Sequence, residues 1–174
     1  MTARSIEQVP TSAPKVSPEW PAFTKKLASV LRGLKDEEFL ILQVKGTNHG
    51  VQFSEQGAEG VRIETTSNAY LKGAERLNRK QMAALKEAGW LPPTGSPEYA
   101  TPEKDPDGSP NFFVQYPKRC SRKAAADLAV HTLTDILHIL HPGWLEYDAF
   151  NFDGKLIDLP VLGLDRMIRD VTID

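Results

Sequence analysis

The sequence predicts a single α+β domain: a helix, a three-stranded antiparallel meander, a second helix, a fourth strand and a long helix, in that order. Three observations carry this. Apolar residues recur at helical spacing in two stretches, short runs between residues 38 and 64 are either apolar throughout or alternate apolar with polar side chains across turn-rich links, and no repeat or low-complexity tract marks a further domain.

Residues 1–17 hold prolines, serines and threonines with balanced charge and no apolar period, so they are expected to form a flexible leader ahead of a domain at residues 18–174. Ser17 is placed to cap the first helix, with Pro18 or Pro21 in its first turn. Phe23, Leu27, Val30, Leu31 and Leu34 follow on one face.

Residues 38–44 are rich in large apolar side chains and form the first strand, expected to be central and covered on both faces. Val51 and Phe53, then Val61 and Ile63, alternate with polar residues and form the next two strands. Asn78 and Gln81 have capping-box spacing at the start of the second helix, and Gly89 ends it in the left-handed conformation. Residues 91–110 are proline-rich with a net charge of −3 (Glu98, Glu103, Asp105 and Asp107 against Lys104), a long loop expected to be mobile. Residues 111–116 form a fourth strand and residues 121–141 the longest helix, with Ala125, Leu128, Ala129, Leu133, Ile136 and Leu140 on its apolar face. Beyond Trp144, Phe150-Asn151-Phe152, the Asp153-Gly154 turn and Lys155-Leu156-Ile157 suggest a hairpin in a C-terminal extension.

The chain of 174 residues is 40% apolar and 25% charged, enough for a proper core, and its formal net charge of −2 provides no basic field for nucleic acid. The single cysteine, Cys120, excludes an intrachain disulfide and a multi-thiolate zinc site. Neither an apolar signal segment nor a run of about 20 apolar residues occurs, so a cytoplasmic protein without a membrane partner is expected.

Chemistry-bearing constellations are sparse. Asp127, His131, Asp135 and His138 share one helical stripe and hold suitable groups for a divalent ion, but the stripe lies opposite the apolar face, where ligands are solvated and untethered. His141 is expected to stabilise the end of the long helix. Cys120 follows Lys118 and Arg119 and precedes a helix, features that lower a thiol pKa, yet no histidine lies near it in sequence. Neither the dinucleotide nor the P-loop glycine pattern is present. No catalytic residue, metal or cofactor is therefore expected.

Partner binding is the better-supported chemistry. Trp90, Phe112 and Phe113 are large aromatics beside loops, and Phe112 and Phe113 point to opposite faces of their strand, leaving one of them available if helices cover only one face. Lys118, Arg119, Arg122 and Lys123 place four cations within six residues at a helix start, against the helix dipole. Either they pair with acids of the 98–107 loop or of the C-terminal tail, or they hold an acidic partner segment or a phosphorylated ligand.

Leu85-Lys86-Glu87-Ala88-Gly89-Trp90-Leu91-Pro92-Pro93, Ser109-Pro110-Asn111-Phe112-Phe113 and His141-Pro142-Gly143-Trp144-Leu145 resemble landmarks of the bacterial TY-Chap family, with Val51-Gln52-Phe53 and Ser67-Asn68-Ala69-Tyr70-Leu71 also in place. The resemblance covers roughly residues 18–162. It implies the type III secretion chaperone-like fold, which YbjN-like families share. Secretion chaperones bind extended segments of client proteins and commonly dimerise, whereas the YbjN-like branch carries no settled activity. This sequence departs from the secretion chaperones in having one strand, not two, between its second and long helices. The expected function is a chaperone-like or adaptor module, a homodimer that binds a protein client without catalysis. The alternative is a small-ligand or anion-binding regulatory domain.

Overall fold

The computed structural model describes residues 14–169. Its first helix, α1 (Trp20–Gly33), buries the predicted Phe23, Leu27, Val30 and Leu31, and adds Trp20, whose ring meets Phe23 edge-on at 5.6 Å. Ser17 does not cap α1. Its hydroxyl accepts from the Glu19 N–H at 3.1 Å while its own N–H donates to the Leu140 carbonyl, so a turn at 18–19 precedes the helix. Pro21 occupies the first turn, where a missing N–H is harmless.

Six strands, β1 (Glu38–Val44), β2 (Gly50–Glu55), β3 (Val61–Thr65), β4 (Phe112–Tyr116), β5 (Leu145–Asn151) and β6 (Asp165–Arg166), form one sheet in the order β4-β3-β2-β1-β5-β6. The predicted meander is β1 to β3, and β4 adds antiparallel to β3. Gly60, between β2 and β3, has φ 93°, and a Cβ there would lie 2.0 Å from the Tyr116 carbonyl of β4. Only glycine lets β4 approach this turn.

β1 is central, but the expectation that it is covered on both faces is wrong. Leu40, Leu42 and Val44 are buried beneath α1 and the third helix, whereas Phe39, Ile41 and Gln43 are only half-buried on the other side. The same alternation runs through β2 and β3, so every helix-facing side chain of the two strands is buried and every opposite one is not.

α2 (Arg79–Ala88) carries the full capping box between Asn78 and Gln81, and Gly89 ends it at φ 107°. The predicted 121–141 helix is shorter: α3 (Arg122–His131) passes into a wide π-helical segment (Thr132–Ile136), and His138 then turns at φ 57°. The Ile139 N–H returns to the Leu133 carbonyl at 2.8 Å, which swings buried Ile139 into the core. Tertiary packing thus ends the helix before Pro142-Gly143 can. His141, left beyond the helix, accepts from the Gly143 N–H at 2.8 Å and pairs with Glu19.

The tail contains more sheet than expected. β5 lies antiparallel along the whole of β1, with Leu145, Tyr147 and Ala149 entering the core opposite Val44, Leu42 and Leu40. Only the tip of the predicted hairpin forms, through the Phe150–Leu156 bridge and the Asn151–Lys155 hydrogen bonds.

Candidate functional site

The sheet face turned away from the helices carries a groove of about 910 Å³. Its floor follows from strand alternation: Phe39 of β1, Gln52 and Ser54 of β2, Arg62 and Glu64 of β3, and Gln115 of β4 all point the same way. One wall is the 91–110 loop. The other is formed by Asp36 and Glu37, between α1 and β1, and by Phe152, which is 73% exposed.

The loop expected to be mobile is fastened to the sheet. Arg62 donates to the Gly108 carbonyl, the Ser109 hydroxyl donates to Glu64, and Leu91 exchanges backbone hydrogen bonds with Phe113 at 2.9 and 3.1 Å. Thr94 ties the loop to itself, its hydroxyl donating to Asp105 at 2.5 Å and accepting from the Ser109 N–H at 2.9 Å. Phe113 does face away from the helices, as strand geometry required, but the loop and the Arg62 guanidinium, 4.6 Å from its ring centroid, leave it only 6% exposed. It is not available to a partner in this structure.

At the opposite wall the Glu37 backbone adopts φ 64°. Its N–H donates to the Glu55 carbonyl and its carbonyl accepts from the Phe152 N–H, both at 2.9 Å, so one residue in the left-handed region joins the end of β2 to the tail. The open face beyond β1 is closed by Arg166 and Arg169, which donate to Asp148 at 3.1 and 2.7 Å. Asp148 is 6% exposed, and its two arginines answer its buried charge. The groove therefore lies over β1 to β4.

Its charge is one-sided. Asp36, Glu37, Glu59, Glu64, Asp105 and Asp107 line it and form no ion pair among the described residues, while its one cation, Arg62, is spent on Phe113 and Gly108. The Tyr70 phenol is held above its ordinary value by burial first and then by the charge of Glu64. A smaller hollow of about 490 Å³ adjoins the groove and carries Lys35 and Lys155 beside Glu38 and Asp153.

Of the partner-binding candidates singled out in sequence, only Phe113 lines the groove. Trp90 is 2% exposed, its indole N–H donating to Thr132 Oγ1 at 2.9 Å, and Phe112 is 7% exposed in the same core. The four cations divide: Arg122 pairs with Glu55 at 3.0 Å and Lys123 with Asp127 at 2.6 Å, while Lys118 and Arg119 are exposed without an ion pair among the described residues. Acids of β2 and of α3 itself are the partners, not those of the 98–107 loop. Of the Asp/His stripe, Asp127 holds Lys123, His131 Nδ1 meets Asp135 at 2.8 Å, and His138 has left the helix. Among the described residues no three His, Cys, Asp or Glu side chains cluster closely enough to hold a metal, and no helix is long and apolar enough to cross a membrane. Four of the six groove acids were visible in the sequence, Asp36 and Glu37 within Asp36-Glu37-Glu38 and Asp105 and Asp107 within the 98–107 loop. Their convergence was not, because it depends on folding the loop over β3 and β4.

Helices on one face of a sheet that is antiparallel from β4 to β5, with a walled groove on the other, define a chaperone-like α+β module. The family described as T3SS (YopN, CesT) and YbjN peptide-binding chaperone 3, TY-Chap3, matches residues 13–151, and the chain belongs to it. The match ends on the last residue of β5, so Phe152 and the Arg166 and Arg169 clasp lie beyond it. Neither a curated protein nor a solved structure matches the chain.

Proposed function

We propose that this chain binds an extended segment of a partner polypeptide in the open-face groove, holding it without catalysing a reaction. The observation that carries the reading is the groove itself, a walled channel across four strands in a member of a peptide-binding chaperone family. Three strand spacings span about 14 Å, the length of about four extended residues. Gln52, Ser54 and Gln115 offer side-chain hydrogen bonds to a peptide backbone, and Phe39 and Phe152 offer apolar surface.

The anion-binding alternative is weakened because Arg122 and Lys123 are already paired. A homodimer in the cytoplasm remains part of the proposal, supported by the edges at β4 and β6 and by a single cysteine, and light scattering should give twice the chain mass. The central experiment is capture on an array of overlapping unstructured peptides, comparing the native chain with Phe39→Ser/Phe152→Ser. Capture by the native chain should fall at least tenfold in the variant while melting shifts by a few degrees. Capture that survives both changes would place binding elsewhere.

A further inference from the structure

We infer that the groove selects cationic segments: its occupant is an extended stretch of polypeptide bearing lysine or arginine at alternate positions. This rests on the groove being the peptide site, and adds what that site chooses. Six carboxylates against one cation give the lining a net charge of −5, whereas the entire chain carries only −2. Negative charge is thus concentrated here. Glu55 also borders the groove but is neutralised by Arg122, and is left out of that sum.

The carboxylates are spread for a chain that crosses the groove. Asp36 and Glu37 stand at one wall, Asp105 and Asp107 at the other, and Glu64 on the floor between them. Two are held in place by hydroxyls, Glu64 by Ser109 and Asp105 by Thr94, neutral donors that orient a carboxylate without cancelling its charge. Alternate residues of an extended segment face the same way, so every second side chain would meet this lining. Lysine and arginine suit it twice over, since their stems can lie on Phe39 and Phe152 while their charged ends reach the acids. The same field repels nucleic acid and acidic peptides.

The test uses three fluorescein-labelled octapeptides of equal length, alternating Phe with Lys, Gln or Glu, titrated with the full chain by anisotropy. At low salt the Lys peptide should bind at least tenfold tighter than the Gln peptide, and the Glu peptide weakest of the three. Half-molar salt should remove most of that preference. Glu37→Gln/Glu64→Gln/Asp107→Asn should lower Lys-peptide affinity at least tenfold and leave the Gln peptide within twofold, whereas Glu87→Gln on exposed α2 should change neither. Equal binding of the Lys and Gln peptides overturns the charge selection and leaves the groove as a peptide site. Binding of none of the three overturns both readings. Millimolar calcium that raises the melting temperature and blocks the Lys peptide would assign the carboxylates to a metal ion and overturn the inference as well.

Discussion

Phe39 and Phe150 stack across the β1–β5 pair on the face that no helix covers, with ring centroids 5.3 Å apart and planes 23° from parallel. Arg169 lies 5.1 Å above the outer ring, so the stack is bordered by the C-terminal clasp on one side and the groove on the other. Such a pair contributes about 0.5–1.5 kcal/mol beyond its buried area. A double-mutant cycle with Phe39→Leu and Phe150→Leu, read by urea unfolding, should return a coupling of about 1 kcal/mol. Additive single changes would show that the rings touch without stabilising one another.

The Arg122–Glu55 pair gives a second prediction. Its side chains are only 12% and 9% exposed, so Arg122→Glu places two poorly solvated carboxylates together and should cost about 3–5 kcal/mol. Arg119→Glu, on an exposed residue three positions earlier, should stay within about 0.5 kcal/mol. Chemical denaturation of both variants decides this. Equal losses would mean that the cations act as one surface cluster.

These two pairs show how far the sequence could be read. A run of large apolar residues placed β1, period-two alternation placed β2 and β3, and the capping box with Gly89 bounded α2, because these signals are local. Central β5 was missed although Leu145, Tyr147 and Ala149 alternate, since Pro142-Gly143 just before it and Asp148 within it resemble a surface turn. Asp148 is tolerated only because Arg166 and Arg169 reach it from 18 and 21 residues away. Trp90 was legible as a large aromatic beside a loop, but its partner Thr132 is 42 residues distant, and without that contact a core indole and a binding anchor look alike. The groove belongs to this long-range class, as its walls come from segments that meet only after the sheet has formed.

His49 predicts a pH dependence. Burial lowers the pKa of its imidazole below the ordinary 6.5, partly countered by Glu75. Above that value the side chain is neutral in both folded and unfolded states, and no stability difference arises. As pH falls through 6.5 the unfolded chain takes up the proton first, so the folded state loses stability until its own lower pKa is reached. Urea midpoints of the native chain and His49→Gln should differ in pH slope between pH 7.5 and 5.5, the variant being flatter. Parallel slopes would show that His49 titrates alike in both states.

Glu37 joins stability to binding. A glutamate at φ 64° sits where the Cβ of an L-residue crowds the backbone, at a cost of about 1–2 kcal/mol, and it is held there by hydrogen bonds to Glu55 and Phe152 that use only main-chain atoms. Glycine adopts this conformation freely and keeps both hydrogen bonds. Its greater freedom in the unfolded chain offsets part of the relief, so Glu37→Gly should gain about 0.5–1 kcal/mol in urea unfolding. The same change removes one carboxylate from the groove wall. Affinity for the alternating Lys peptide should therefore fall severalfold in a protein that melts higher, while the Gln peptide binds as before. A structural role alone would preserve or improve Lys-peptide binding as stability rises. Opposite movement of stability and affinity would mark Glu37 as a residue whose strained backbone is retained for the charge it presents.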